Sequence, residues 1–169
     1  MDEPSRAGSS PSDDDRPPAA TVDVIDAEGS LGPDGAGWIG DAARRVTERL
    51  GVPGEVRVRL VGDGEMSVSH ERYAGEPGTT DVLTFDLSGD PSELDVDILV
   101  CVDEARRQAA GHGHAVEREA LLYVVHGILH CLGHDDHDDE GFDRMHAAED
   151  ELLEAIGVGV TFHRPGGGS

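Results

Sequence analysis

Val124-Val125-His126-Gly127-Ile128-Leu129-His130-Cys131-Leu132-Gly133-His134-Asp135-Asp136-His137 is the stretch on which the reading of this chain turns. Residues four apart on an α-helix lie one turn apart on the same face, so the imidazoles of His126 and His130 can address a single point. Gly133 then stops the helix and lets the backbone reverse, which brings the polar run 134–137 back toward that point. Two helical histidines and one donor from a returning chain make the ligand pattern of a hydrolytic zinc site, whose fourth position stays open for water. Leu121, Leu122, Val124, Val125, Ile128, Leu129 and Leu132 make this the most apolar helix of the chain, so the histidines are expected on a core element. Unpartnered imidazoles would be costly to desolvate there. A chance histidine pair at a solvated helix end is the competing reading, and the run 134–137 also holds enough donors to close the site as a structural zinc.

In the zinc proteases the residue after the first histidine is a glutamate that serves as general base. Here it is Gly127. The metal-holding pair is present without the adjacent base, which disfavours a metallopeptidase.

Outward from the helix, a second block reads Thr79-Thr80-Asp81-Val82-Leu83-Thr84-Phe85, and a third, Asp95-Val96-Asp97-Ile98-Leu99-Val100, precedes a helix from Asp103. These blocks, in this order, resemble the H-G-x-L-H-L-x-G-[YHW]-D-[HD], P-T-D-V-L-S-F and G-D-I-x-I segments of the YbeY family of bacterial endoribonucleases and rRNA maturation factors. The resemblance covers residues 20–157. It implies one Zn2+ per chain, held by His126, His130 and a third ligand six residues further on, which is Asp136 where the commonest family form has histidine. A one-residue shift in the turn would bring in His137 instead. The family arginine, which follows an aromatic residue and is thought to contact phosphate, falls on Ala74, with Tyr73 as the aromatic and His70 at the family's asparagine position. Arg72 lies about 200° round the helix from Ala74, so His70 is the weak candidate for part of that role.

What the resemblance implies is a single-strand-specific endoribonuclease acting in 3′ maturation of 16S rRNA and in ribosome quality control. Its partners would be single-stranded or ribosomal RNA and ribosomal proteins, with no DNA and no membrane. A non-catalytic ribosome-assembly factor with a structural zinc is the alternative from another class. The charge sharpens that choice: 36 acidic residues against 13 basic ones give a net charge of −23, whereas RNA binding draws mainly on neutralised phosphates. Lysine is absent, and a local basic channel would require Arg106, Arg107 and Arg118 to converge with Arg57 or Arg59 beside the histidines.

The organisation expected is a disordered acidic tail over 1–19, one domain over 20–157 and a flexible tail over 158–169. Cys101 and Cys131 sit in apolar runs and read as reduced, buried thiols of a cytoplasmic protein. No run approaches the 18 apolar residues of a membrane span, and the first residues lack a signal-peptide apolar region. Alternation places strands at 21–27, 56–61, 82–86 and 96–102; helical spacing places helices at 38–50, 64–73, 103–110 with Asp103 as N-cap, from about 115, and at 138–156. Strands alternating with helices point to an α/β or α+β sandwich. The resemblance implies an α+β fold, a small mixed sheet of about four strands covered by helices, with the zinc-bearing helix packed on it.

Overall fold

The computed structural model describes residues 19–134 and 138–158. The tails predicted from the sequence, apart from Ala19 and Val158, and the candidate ligands Asp136 and His137 lie outside the described residues. Within them the fold is α+β, as expected. Strands β1 (Ala20–Asp26), β2 (Gly54–Val61), β3 (Val82–Asp86) and β4 (Leu94–Cys101) form one sheet in the order β1-β2-β4-β3. The first two pairs are parallel, and β3 runs antiparallel to β4. The helices are α1 (Gly32–Leu50), α2 (Asp63–Ala74), α3 (Val102–His112), α4 (Val116–Cys131) and α5 (Asp139–Ala155).

Register decides which sheet face is covered. Val56 stands beside Val96, Val58 beside Ile98 and Leu60 beside Val100, and all six are buried. Ile39, Ala42, Ala43 and Val46 of α1 and Leu121, Val124, Val125 and Ile128 of α4 complete the same core. The alternate residues of β2 and β4 form the other face. There Arg57 is bound by Glu55, Asp95 and Asp97 in an ionic strip, and only one end of this face, at Val61, Leu99 and Cys101 under Met66 of α2, is apolar. This alternation is the reason Val56-Arg57-Val58-Arg59 reads so clearly as a strand with one wet side.

Two expectations about helix starts shift, for one reason. α1 begins at Gly32 rather than near Trp38, because Asp26 at the end of β1 accepts backbone N–H bonds from Ser30, Leu31 and Gly32 at 2.8–3.0 Å and so caps a helix from outside it. Asp103, expected as the cap of its own helix, instead lies in the first turn of α3, whose N-cap position is Cys101. Its carboxylate accepts the N–H of Asp63, 2.8 Å away, at the start of α2. In both cases the cap comes from another element, which local spacing does not reveal.

The end of α4 follows the sequence reading closely. Gly133 has φ +101°, Gly133 N–H donates to His130 O at 3.2 Å, and His134 N–H donates to Leu129 O at 3.1 Å. This pair of bonds is a Schellman turn, which needs the left-handed conformation that glycine adopts without strain.

Candidate metal centre beside helix α4

Helix α4 is buried over most of its surface but not at its histidines: His126 is half-buried and His130 exposed. The expected burial of the pair is therefore corrected. The apolar residues face sheet and α1, while His126 stands at the edge of a cavity of about 230 Å3. One step round the helix, Gly127 faces the sheet. A Cβ on it would sit 2.7 Å from Thr84 Oγ1 and 3.2 Å from Ile98 Cδ1. The glycine of the first motif is thus seated on a threonine of the second, and a protease-type glutamate at 127 would point into packed sheet rather than toward a metal.

The cavity is built from three helices and the strand block. Asp81 comes from the segment before β3, His112 from the end of α3, Glu119, Tyr123 and His126 from α4, and His146 and Glu149 from α5. Glu149 is fully buried and holds two histidines, one with each oxygen. His126 Nδ1 lies 2.7 Å from Oε2, and His146 Nδ1 lies 2.9 Å from Oε1. A buried carboxylate is stabilised when it accepts N–H bonds, and with Nδ1 of His126 directed at Glu149, Nε2 is the ring nitrogen that could address a metal. This is the carboxylate–histidine arrangement that orients ligands in zinc sites. His126, oriented by Glu149, is thus a donor of a kind that could hold the metal the resemblance implies.

A second cluster lies two turns back. His112 Nδ1 is 3.2 Å and His114 Nε2 is 2.7 Å from the same atom, Glu119 Oε1. The ligand atoms of these three residues all lie within 4.8 Å of one another, a group that could hold a metal ion. Tyr123 beside it is 6% exposed, and its buried hydroxyl makes no hydrogen bond of good geometry among the described residues. Burial, reinforced by the nearby charge of Glu119, holds the phenol well above its ordinary pKa.

His70 is elsewhere. Its Nδ1 lies 3.0 Å from Gly78 O, so it pins the 75–78 loop and does not line the cavity. Ala74 ends α2, where Arg72 stacks on the Tyr73 ring and Tyr73 packs edge-on against Phe85. Among the described residues, none of Arg57, Arg59, Arg106, Arg107 and Arg118 lines the cavity, so the expected arginine channel is not found there. Arg57 is taken by the strand carboxylates, Arg59 by Glu65, Arg107 by Asp63 and Glu104, and Arg106 by Ser30 O. No arginine lines the cavity. Both cysteines are free and buried; burial, with a smaller contribution from the charge of Asp86, pushes the Cys131 thiol up to about 11.

The residues that reasoning from sequence missed are Glu119, Glu149, His112, His114 and His146. Glu119 had a usable signal, since 119, 123, 126 and 130 follow the 4-3-4 spacing of one helix face. Glu149 had none: it reaches His126 from another helix, across 23 residues of chain.

Comparison with known proteins decides the family. The family model for Endoribonuclease YbeY matches residues 36–157. This chain belongs to the YbeY family. Among its relatives, "Endoribonuclease YbeY" of Acidothermus cellulolyticus is 39% identical over 130 residues, covering 68% of this chain and 79% of that protein. The Bacillus subtilis protein of the same name is 29% identical over 150 residues, covering 81% and 96%. The solution structure of TM1509 from Thermotoga maritima superposes with a TM-score of 0.56 at 25% identity, covering 86% of this chain and 98% of that one. The YbeY match thus takes in both motif blocks, the histidine helix and the helix that carries Glu149. No helix among the described residues is long and apolar enough to cross a membrane.

Proposed function

We propose that this YbeY-family chain is a zinc-dependent endoribonuclease for single-stranded RNA, acting in the cytoplasm in 3′ maturation of 16S rRNA and ribosome quality control. The observation that supports the reading is the Glu149 bond to His126 Nδ1, which would orient the other nitrogen of this motif histidine for a metal. His126 and His130 would hold one zinc, with Asp136 as third ligand and His137 as the competitor for that place. Bound there, zinc supplies a Lewis acid for a phosphoryl oxygen and lowers the pKa of a coordinated water. The chain's own residues do the rest. Glu149 fixes the His126 ring and also holds His146 by Nδ1. Gly127, seated on Thr84, fixes the rotation of α4 and so keeps His126 at the cavity.

The test is cleavage of labelled single-stranded RNA by wild type, His126→Ala and His130→Ala. Loss of cleavage in both variants, with the fold retained by circular dichroism, is expected; undiminished cleavage would overturn the reading. Zinc content of Asp136→Ala and His137→Ala assigns the third ligand. A second reading, a non-catalytic assembly factor in which the zinc is structural, is favoured by one observation: Arg57, Arg59 and Arg107 are paired with carboxylates, and no arginine is among the described residues that line the cavity. Tight RNA or ribosomal-protein binding with no cleavage, salt-insensitive in proportion to the few free cations, would select it.

A further inference from the structure

We infer that His112, His114 and Glu119 form a second zinc site, separate from the His126–His130 centre and opening into the same cavity. Geometry is the first support. Zinc bound tetrahedrally at about 2.0–2.1 Å spaces neighbouring donor atoms by about 3.3–3.4 Å. The two measured edges of this group are 3.2 Å from His112 Nδ1 to Glu119 Oε1 and 2.7 Å from His114 Nε2 to the same oxygen. An ion therefore enters with small side-chain adjustments and no movement of helices. Two histidines and a glutamate are also a ligand set that zinc enzymes use with one position left open.

The second support is Tyr123. It lines the cavity with His112 and Glu119, one helical turn on from Glu119, and its buried hydroxyl, beside the Glu119 carboxylate, makes no hydrogen bond of good geometry among the described residues. A buried hydroxyl left unbonded is costly. A ligand of the open zinc position would be its natural partner. Glu119 itself has a side chain only 3% exposed, so its carboxylate is out of water and depends on what His112 and His114 direct at it.

The site is not one half of a two-metal centre. Glu119 and His126 are seven residues apart on α4, about 10 Å along its axis, whereas paired catalytic metals stand about 3.5–4 Å apart. The two ends of the helix hold two independent ions.

Chelator-stripped, untagged protein titrated with Zn2+ against a competing chromophoric chelator, and with Co2+ read by visible absorption, tests the proposal. The competitor removes weak binding to the acidic surface. Wild type is expected to take two tight equivalents. His112→Gln, at a side chain one-third exposed, is expected to lose one of them by at least 100-fold in affinity, as is Glu119→Gln. The double variant His126→Ala/His130→Ala is expected to keep one, and Tyr123→Phe to weaken that one several-fold. One wild-type equivalent, lost in the double variant and unchanged in His112→Gln, overturns the second site and leaves the family site standing. One equivalent lost in His112→Gln and kept in the double variant does the reverse. Should the double variant not fold, the step from two equivalents to one in His112→Gln decides alone, and an unchanged count overturns the proposal.

Discussion

The two ends of α4 solve the same problem with one difference of a single atom. Each sets one buried glutamate against two histidines. At the N-terminal end both imidazoles address the same oxygen, Glu119 Oε1; at the C-terminal end His126 takes Oε2 of Glu149 and His146 takes Oε1. Shared use of one oxygen gathers donors into a point, which is what an ion needs. Divided use spreads them, and the carboxylate acts as a clamp that aims rings elsewhere. Chemistry of the residue types is identical in the two clusters, so geometry alone distinguishes a ligand from an orienting group.

That difference predicts unequal responses to a single-atom change, and the largest effect is expected there. Glutamine offers one acceptor oxygen and one NH2 donor. In Glu119→Gln the remaining oxygen can still face both imidazoles, whereas in Glu149→Gln one histidine meets an NH2 and must change tautomer or lose its bond. Metal-free Glu149→Gln is therefore expected to be about 1–2 kcal/mol less stable than Glu119→Gln in urea unfolding, the scale of one hydrogen bond to a charged group. Glu149→Ala extends the loss to about 2–4 kcal/mol, since both imidazoles lose their bond to the carboxylate. Equal stabilities for the two glutamine variants would break the comparison.

How much of this was legible in the sequence follows the same line. Alternation in β2 survived folding because that strand meets one packed face and one largely ionic face, so Val56-Arg57-Val58-Arg59 carried its own evidence. The Schellman turn at Gly133 was legible because its requirement is local. The caps supplied by Asp26 and Asp103 were not, since each carboxylate serves an element other than the one its spacing suggested. Within the site, His126 is a legible residue whose meaning depends on an illegible one, Glu149. The face running through Glu119, Tyr123, His126 and His130 was written in the 4-3-4 spacing, but the partners from α3 and α5 were not.

A smaller effect tests what holds the two ends in line. Both clusters depend on the rotation of α4, and Gly127 sets it by lying against Thr84 and Ile98. Gly127→Ala places a methyl 2.7 Å from Thr84 Oγ1, which is expected to cost about 1–3 kcal/mol by overpacking, less the helix-propensity gain of about 1 kcal/mol for alanine over glycine. Thr84→Ala in the same chain removes the struck oxygen and should restore part of the loss. If Gly127→Ala were neutral in thermal unfolding, the glycine would not be seating the helix. Gly127→Glu should gain no peptidase activity, because its side chain starts from the sheet-facing side of α4.

The smallest effect expected is also the one with a sign that matters. Tyr123→Phe removes only the hydroxyl, which is buried beside Glu119 with no hydrogen bond of good geometry among the described residues. Burying an unsatisfied hydroxyl costs free energy, and its deletion leaves the ring's packing in place. The metal-free variant should therefore be more stable than wild type by about 0.5–1 kcal/mol, measured by urea unfolding with chelator present. With zinc at the Glu119 end the sign should reverse or vanish, because the hydroxyl then has a ligand to bond. At the Glu149 end zinc should change nothing in this difference. A group kept at a cost in the empty protein and repaid only when the neighbouring site is filled is held for what the site binds, and the same pair of unfolding curves would show a tyrosine that merely packs by an unchanged difference with and without metal.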